Sequence, residues 1–143
     1  ARRQTGHAAM IRRAFAVWLL IVLAEVIHGI LRTLFLVPLT GDLRARQIGV
    51  FTGSLLILAI ATATIRWLGL PTPARQFQVG ALWLVWMVLF ELAFGRWVAG
   101  LSWDRLLADY NIPAGGLLPF GLLILLLSPL LAARLRGLSR YHQ

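Results

Sequence analysis

Four stretches of the chain are almost free of polar residues, running from about 14 to 38, 48 to 68, 79 to 99 and 117 to 133. Each approaches the roughly 20 residues that a helix needs to cross about 30 Å of hydrocarbon. In lipid only helices and closed barrels satisfy every backbone polar group, and these runs are too long and too uniformly apolar for barrel strands. The pattern predicts an all-α integral membrane protein, a single four-transmembrane-helix bundle occupying residues 1–143. The last stretch carries Pro119 and Pro129. Proline is tolerated in a spanning helix when neighbouring groups re-satisfy the freed carbonyls, so a kink is expected there and not a break.

The first stretch is longer than the 7–15 residues of a signal-peptide core, and it contains Glu25, His28 and Arg32, so it reads as a retained helix. Met10 is a candidate start, which makes residues 1–9 a flexible extension. Composition supports the membrane reading: 59% of residues are hydrophobic and 13% charged, against about 45–50% and about 25% in soluble domains. The absence of cysteine removes disulfides and zinc–thiolate sites. The absence of lysine is a compositional bias that suggests a GC-rich bacterial source.

The net charge of +9 would fit nucleic acid, but the arginines flank the apolar runs and form no basic stripe, so no nucleic-acid partner is expected. Four spans place both termini on one side with the loop between helices two and three. That side holds nine of the 14 arginines and no acid. The positive-inside rule then puts both termini in the cytoplasm, in a bacterial inner membrane.

Polar residues inside the apolar runs carry the candidate chemistry. The chain has only five acidic residues, and Glu25 and Glu91 lie at matched places in the first and third runs. Val22, Leu23, Glu25 and Gly29 recur 66 positions later as Val88, Leu89, Glu91 and Gly95. This suggests two repeated helical hairpins. Ionisable residues within a span are costly and are functional-site candidates. Glu25, His28 and Arg32 share one helix face, the outer two about 10 Å apart along the axis. With Glu91 and Arg96 they are expected to form an intramembrane cluster. In one reading Glu–Arg pairs hold helices together; in the other the carboxylates serve a proton or ion pathway. His28 is also a candidate haem ligand, although hydrogen bonding within the cluster is the simpler expectation.

Gly49 and Gly53, then Ala59 and Ala63, are small residues four apart that let helices approach closely, within the chain or across a homodimer. The outer loop from Gly100 to Gly116 reads as a short interfacial helix capped by Ser102, with Trp103, Asp104, Asp109 and Tyr110 as its notable residues. The six tryptophans are expected to form an aromatic belt near the helix ends.

No phosphate loop, hydrolase elbow or metalloprotease helix occurs, so no catalytic or metal site is assigned and no enzyme is expected. The favoured role is an accessory or assembly subunit that partners the bilayer and other membrane subunits. The alternative is an oligomeric proton- or cation-coupled transporter or channel using Glu25 and Glu91. A membrane enzyme or haem carrier ranks third.

Overall fold

The computed structural model describes the backbone of residues 2–137 and the side chains of residues 6–137. Among the described residues every regular element is helical. Helix α1 (Arg2–Leu31), a π-helical turn (Arg32–Leu36) and the short α2 (Val37–Thr40) form the first span. They are followed by α3 (Asp42–Leu68), α4 (Pro73–Trp97), α5 (Trp103–Ala108), a 3₁₀ turn (Ile112–Ala114) and α6 (Leu118–Leu135). Among the described residues four helices, Gly6–Thr40, α3, α4 and α6, are long and apolar enough to cross a membrane.

The helices outrun the apolar stretches that predict them, because backbone bonding stops at caps and breakers and not where hydrophobicity stops. Gly41, at φ 84°, separates α2 from α3. Gly69, at φ 62°, ends α3 in a left-handed conformation that only glycine adopts cheaply. The Thr72 side chain accepts from the Arg75 backbone N–H at 3.2 Å, and Pro73 opens α4 where no amide hydrogen is needed. At its other end α1 begins at Arg2, so residues 2–9, set aside by the sequence as an extension, join the helix.

Pro119 falls in the first turn of α6, where no amide hydrogen is needed, and the prolines further inside the spans, Pro129 and Pro38, are accommodated by named groups. Pro129 cannot bond the Leu125 carbonyl, and the Ser128 hydroxyl donates to that oxygen instead, at 2.7 Å. Helix α6 therefore runs through Pro129 without a break. Ahead of Pro38 the helix widens into the π turn, where the Val37 N–H reaches the Arg32 carbonyl.

The bundle is ordered α1, α3, α6, α4 around a ring. The side between α1 and α4 is the thinnest interface of the four. Arg13 donates to the Trp67 carbonyl at 2.9 Å and His28 meets Thr52, so α1 and α3 are antiparallel. The end of the bundle holding the α3–α4 turn is filled by apolar side chains, including Ile21, Ile65, Val79, Trp83 and Leu125. At Gly80 a side chain would collide with the Leu126 carbonyl, which marks close backbone contact between α4 and α6. The outer flanks are also apolar: Leu55 is 68% exposed and Leu89 62%. Water would not tolerate such a continuous surface, whereas lipid solvates it.

Two expectations change here. The aromatic belt is incomplete, since Trp18 and Trp83 lie in the core; the Trp83 indole is fully buried because its N–H donates to the Ala14 carbonyl at 2.9 Å. The small-residue stripe of α3 is Ala45, Gly49, Gly53 and Ala61, all buried. Ala59 and Ala63 are exposed on the opposite flank. The stripe keeps a spacing of four from Gly53 through Ile57 to Ala61, which turns positions 59 and 63 away.

Candidate functional site

Toward the end of the bundle that holds α5, polar side chains replace the apolar core. The buried stripe Ala14, Trp18 and Ile21 of α1 continues in the same helical register into Glu25, His28 and Arg32. On α4 the stripe of Gln76, Gly80, Trp83 and Met87 continues into Glu91 and Gly95. Both glutamates thus face the inside of the bundle. Together with α3, α5 and α6 they line a cavity of about 790 Å³.

Small residues on α3 make room for the α1 cluster. A side chain added at Gly53 would bring its first carbon to 3.1 Å from Glu25 Oε2, and one at Gly49 to 3.1 Å from Arg32 Cδ. The glycine pair therefore serves packing within the chain, and what packs against it is the polar face of α1. His28 Nε2 is hydrogen-bonded to Thr52 Oγ1 at 2.6 Å, and Thr52 Oγ1 also lies 3.3 Å from the Ile48 and Gly49 carbonyls of its own helix. This leaves His28 Nδ1 turned toward Glu25 Oε2, 3.9 Å away. Haem ligation through Nε2 would require breaking the Thr52 bond.

The expected Glu–Arg pairs are not formed. Among the described residues neither glutamate makes an ion pair with an arginine. Arg96 leaves the cluster altogether: it donates to the Leu101 carbonyl at 3.4 Å and its guanidinium sits 5.9 Å from the Trp103 ring centroid. Its position, five residues after Glu91, puts it on another face of α4. Glu25 Oε1 and Glu91 Oε2 are buried without a hydrogen-bond partner. The charges that bear on Glu91 are those of Glu25, Asp109 and Arg32.

The arginines that do pair are ones whose site role the sequence did not single out. Arg46 Nε lies 3.0 Å from Asp42 Oδ2, and Arg46 Nη1 contacts Asp109 Oδ1. Arg105 reaches Asp109 Oδ2 at 3.2 Å and Asp42 Oδ2 at 3.3 Å. The four side chains close a ring of alternating charge that ties the start of α3 to α5. Each half was visible as an acid and an arginine four apart, but the cross-links between halves depend on tertiary placement. Asp104 is exposed and stands outside the ring.

The connection carrying α5 folds over this end of the bundle. Ser102 caps α5 by accepting from the Arg105 backbone N–H at 3.2 Å. Leu106 is buried against Gly95, where any side chain would collide with it. Trp103 points outward and packs edge-on against Trp97, with ring centroids 6.3 Å apart. Tyr110 lines the cavity with its hydroxyl buried and unpartnered. Burial, aided by the neighbouring Glu91 and Asp109 carboxylates, pushes its phenol up to about 12. Tyr110 therefore stays protonated at neutral pH and offers an O–H donor to the cavity.

No family model, curated relative or solved structure matches the chain. The functional reading rests on this geometry.

Proposed function

We propose that the chain is a small-molecule-binding protein of the bacterial cytoplasmic membrane, acting as a transporter or carrier, with Glu25, Glu91 and Arg32 as its polar contacts. The observation that carries this reading is the cavity, with buried carboxylate oxygens left unpartnered inside it. Its volume of about 790 Å³ falls within the roughly 300–1,000 Å³ of small-molecule sites, which are mostly apolar with a few convergent polar groups. The accessory-subunit role that the sequence favoured does not by itself account for such a chamber. Unpaired buried polar atoms cost stability that function has to justify.

The proposed orientation keeps both termini in the cytoplasm, supported by the nine arginines on that side. Arg140 and the C-terminal Gln143 lie outside the described residues. A reporter active only in the cytoplasm should work when inserted near Thr72 and fail near Asp109; activity at Asp109 would reverse the orientation. We also read α5 as lying in the membrane interface, on the strength of outward Trp97 and Trp103. The two hairpins, first span–α3 and α4–α6, are read as a duplication. Glu25 and Glu91, 66 positions apart, support this by lining one chamber from parallel helices.

Gly29 provides the test, since it lines the cavity and a side chain there meets nothing closer than Arg32 Nη2 at 3.9 Å. Gly29→Leu should therefore put apolar bulk into the chamber beside Arg32, with room for its first side-chain carbon. A panel of small organic cations, anions and neutral compounds is tested by thermal shift on protein in nanodiscs. At about 100 times its Kd a true ligand stabilises by about 2.7 kcal/mol. The expected result is at least one compound that raises the Tm of the wild type and not of Gly29→Leu. A panel with no shift sensitive to Gly29→Leu would return the preference to the accessory role.

A further inference from the structure

The cavity reading says that a small molecule binds; charge and shape indicate which kind. The cavity wall carries four carboxyl and three guanidinium groups. The ring of Asp42, Arg46, Asp109 and Arg105 neutralises itself through its own contacts. What remains is Glu25 and Glu91 against Arg32, two carboxyls and one guanidinium with no direct ion pair between them. One carboxyl is thus without a counter-charge, in a chamber where an isolated anion is costly. Such a site is completed by a proton or by a single positive charge from outside. His28, held to Thr52 through Nε2, would pair with Glu25 through Nδ1 at 3.9 Å only when protonated; as the neutral imidazole it leaves the imbalance in place. Among the described residues no group of three or more His, Asp or Glu side chains is arranged to hold a metal ion.

The rest of the wall is apolar, with Met87, Phe90, Leu118 and Leu122 among its residues. A bare inorganic cation would leave most of that surface unmatched. The chamber also reaches the flank of the bundle. Helices α1 and α4 touch through Ala14 with Trp83, and through Phe15 and Trp18 with Trp86 and Phe90, all toward the apolar end of the bundle. Further along, the cavity lies between them, and its wall includes Ile30, Leu34 and Phe94, all of them exposed apolar side chains. In a bilayer that gap faces acyl chains. Whatever enters through it must be soluble in hydrocarbon.

We propose that the ligand is a lipophilic organic monocation, which enters laterally between α1 and α4 and places its positive charge between Glu25 and Glu91. This rests on the cavity reading above, and the test separates the two.

The probes are tetraphenylphosphonium and tetraphenylborate, near-identical in shape and opposite in charge. Saturable binding to protein in zwitterionic-lipid nanodiscs is measured against empty discs. The expected result is that the phosphonium binds at least about tenfold tighter than the borate, because like charge in a desolvated site is strongly disfavoured. Glu91→Gln should weaken phosphonium binding by about tenfold or more, and Gly29→Leu should abolish it. Should Glu91→Gln fold poorly, the wild-type preference between the two ions decides alone. Borate binding as tight as phosphonium, blocked by Gly29→Leu, overturns the cationic class and leaves the cavity reading standing. Binding of neither ion overturns the cationic class and leaves the cavity reading to the thermal-shift panel, and binding of both regardless of Gly29→Leu overturns the cavity as their site.

Discussion

Glu91 and Arg46 are opposite cases of a charged side chain inside a helical bundle. Glu91 Oε2 is buried without a partner, whereas Arg46 bridges two aspartates. Removing the charge of Glu91 should therefore not destabilise the fold. Glu91→Gln is expected to hold or raise Tm, because it removes a buried charge that has no hydrogen-bond partner at Oε2. A clear fall in Tm would reveal a partner. Arg46→Ala leaves Asp42 and Asp109 facing each other with one arginine between them. It should cost about 1–3 kcal/mol, less than for a fully buried pair because the Asp42 side chain is 54% exposed, as read by thermal or denaturant unfolding. Tyr110 contributes a pH dependence of known sign. Its folded phenol loses its proton near 12, above the ordinary value of about 10. Its contribution is complete below about pH 10 and is lost as pH rises toward about 12, because the unfolded state then binds fewer protons. Tyr110→Phe should flatten that part of the stability–pH curve.

For the helices, side-chain volume on the buried stripe decides what is tolerated. Ala61 is fully buried, while Ala63, one half-turn away, is exposed. Ala61→Leu should cost about 1–3 kcal/mol through overpacking, and Ala63→Leu less than about 0.5 kcal/mol. Equal effects would mean that the exposed face of α3 is itself packed, as across a homodimer. The Ser102 cap read from the sequence forms through a neighbour three residues on, and the Thr72–Pro73 start and the Gly69 stop, which the structure adds, are equally local. The stripe was harder to place. Gly49–Gly53 and Ala59–Ala63 both show small residues four apart, and only the first pair shares the face that meets α1.

In the molecule as a whole, the Asp42–Arg46–Asp109–Arg105 ring joins the first residues of α3 to the α5 connection, more than 60 positions along the chain (|i−j| = 63 for Arg46 and Asp109). A double-mutant cycle on Arg46→Ala and Asp109→Ala should show a coupling of about 0.5–3 kcal/mol. Additive losses would mean that the two side chains do not act together. The same ring lines the α5 end of the cavity, and the α1–α4 side is the thinnest of its walls. Architecture and site are coupled in this way. Close packing at Gly80 and the indoles of Trp18 and Trp83 fill one end of the bundle, and the helices diverge around charge at the other.

Much of this was readable along the chain. The number of long apolar helices and the shared face of Glu25, His28 and Arg32 depend on local composition and on a helical period that every residue obeys. So does the singularity of Glu25 and Glu91, which needs only a count of acids within apolar runs. The partners of those charges were not readable. Arg96 and Arg46 are both arginines within a few residues of an acid, and nothing local distinguishes them. Helix rotation and the fold of the α5 connection turn Arg96 out toward Trp103 and bring Arg46 between two aspartates. Pairing depends on distances of a few ångströms between segments far apart in sequence, and helical periodicity fixes a face without fixing what stands opposite it. The cavity has the same origin: it is the space left where the glycine stripe of α3 admits the polar face of α1 while α4 stands away from it.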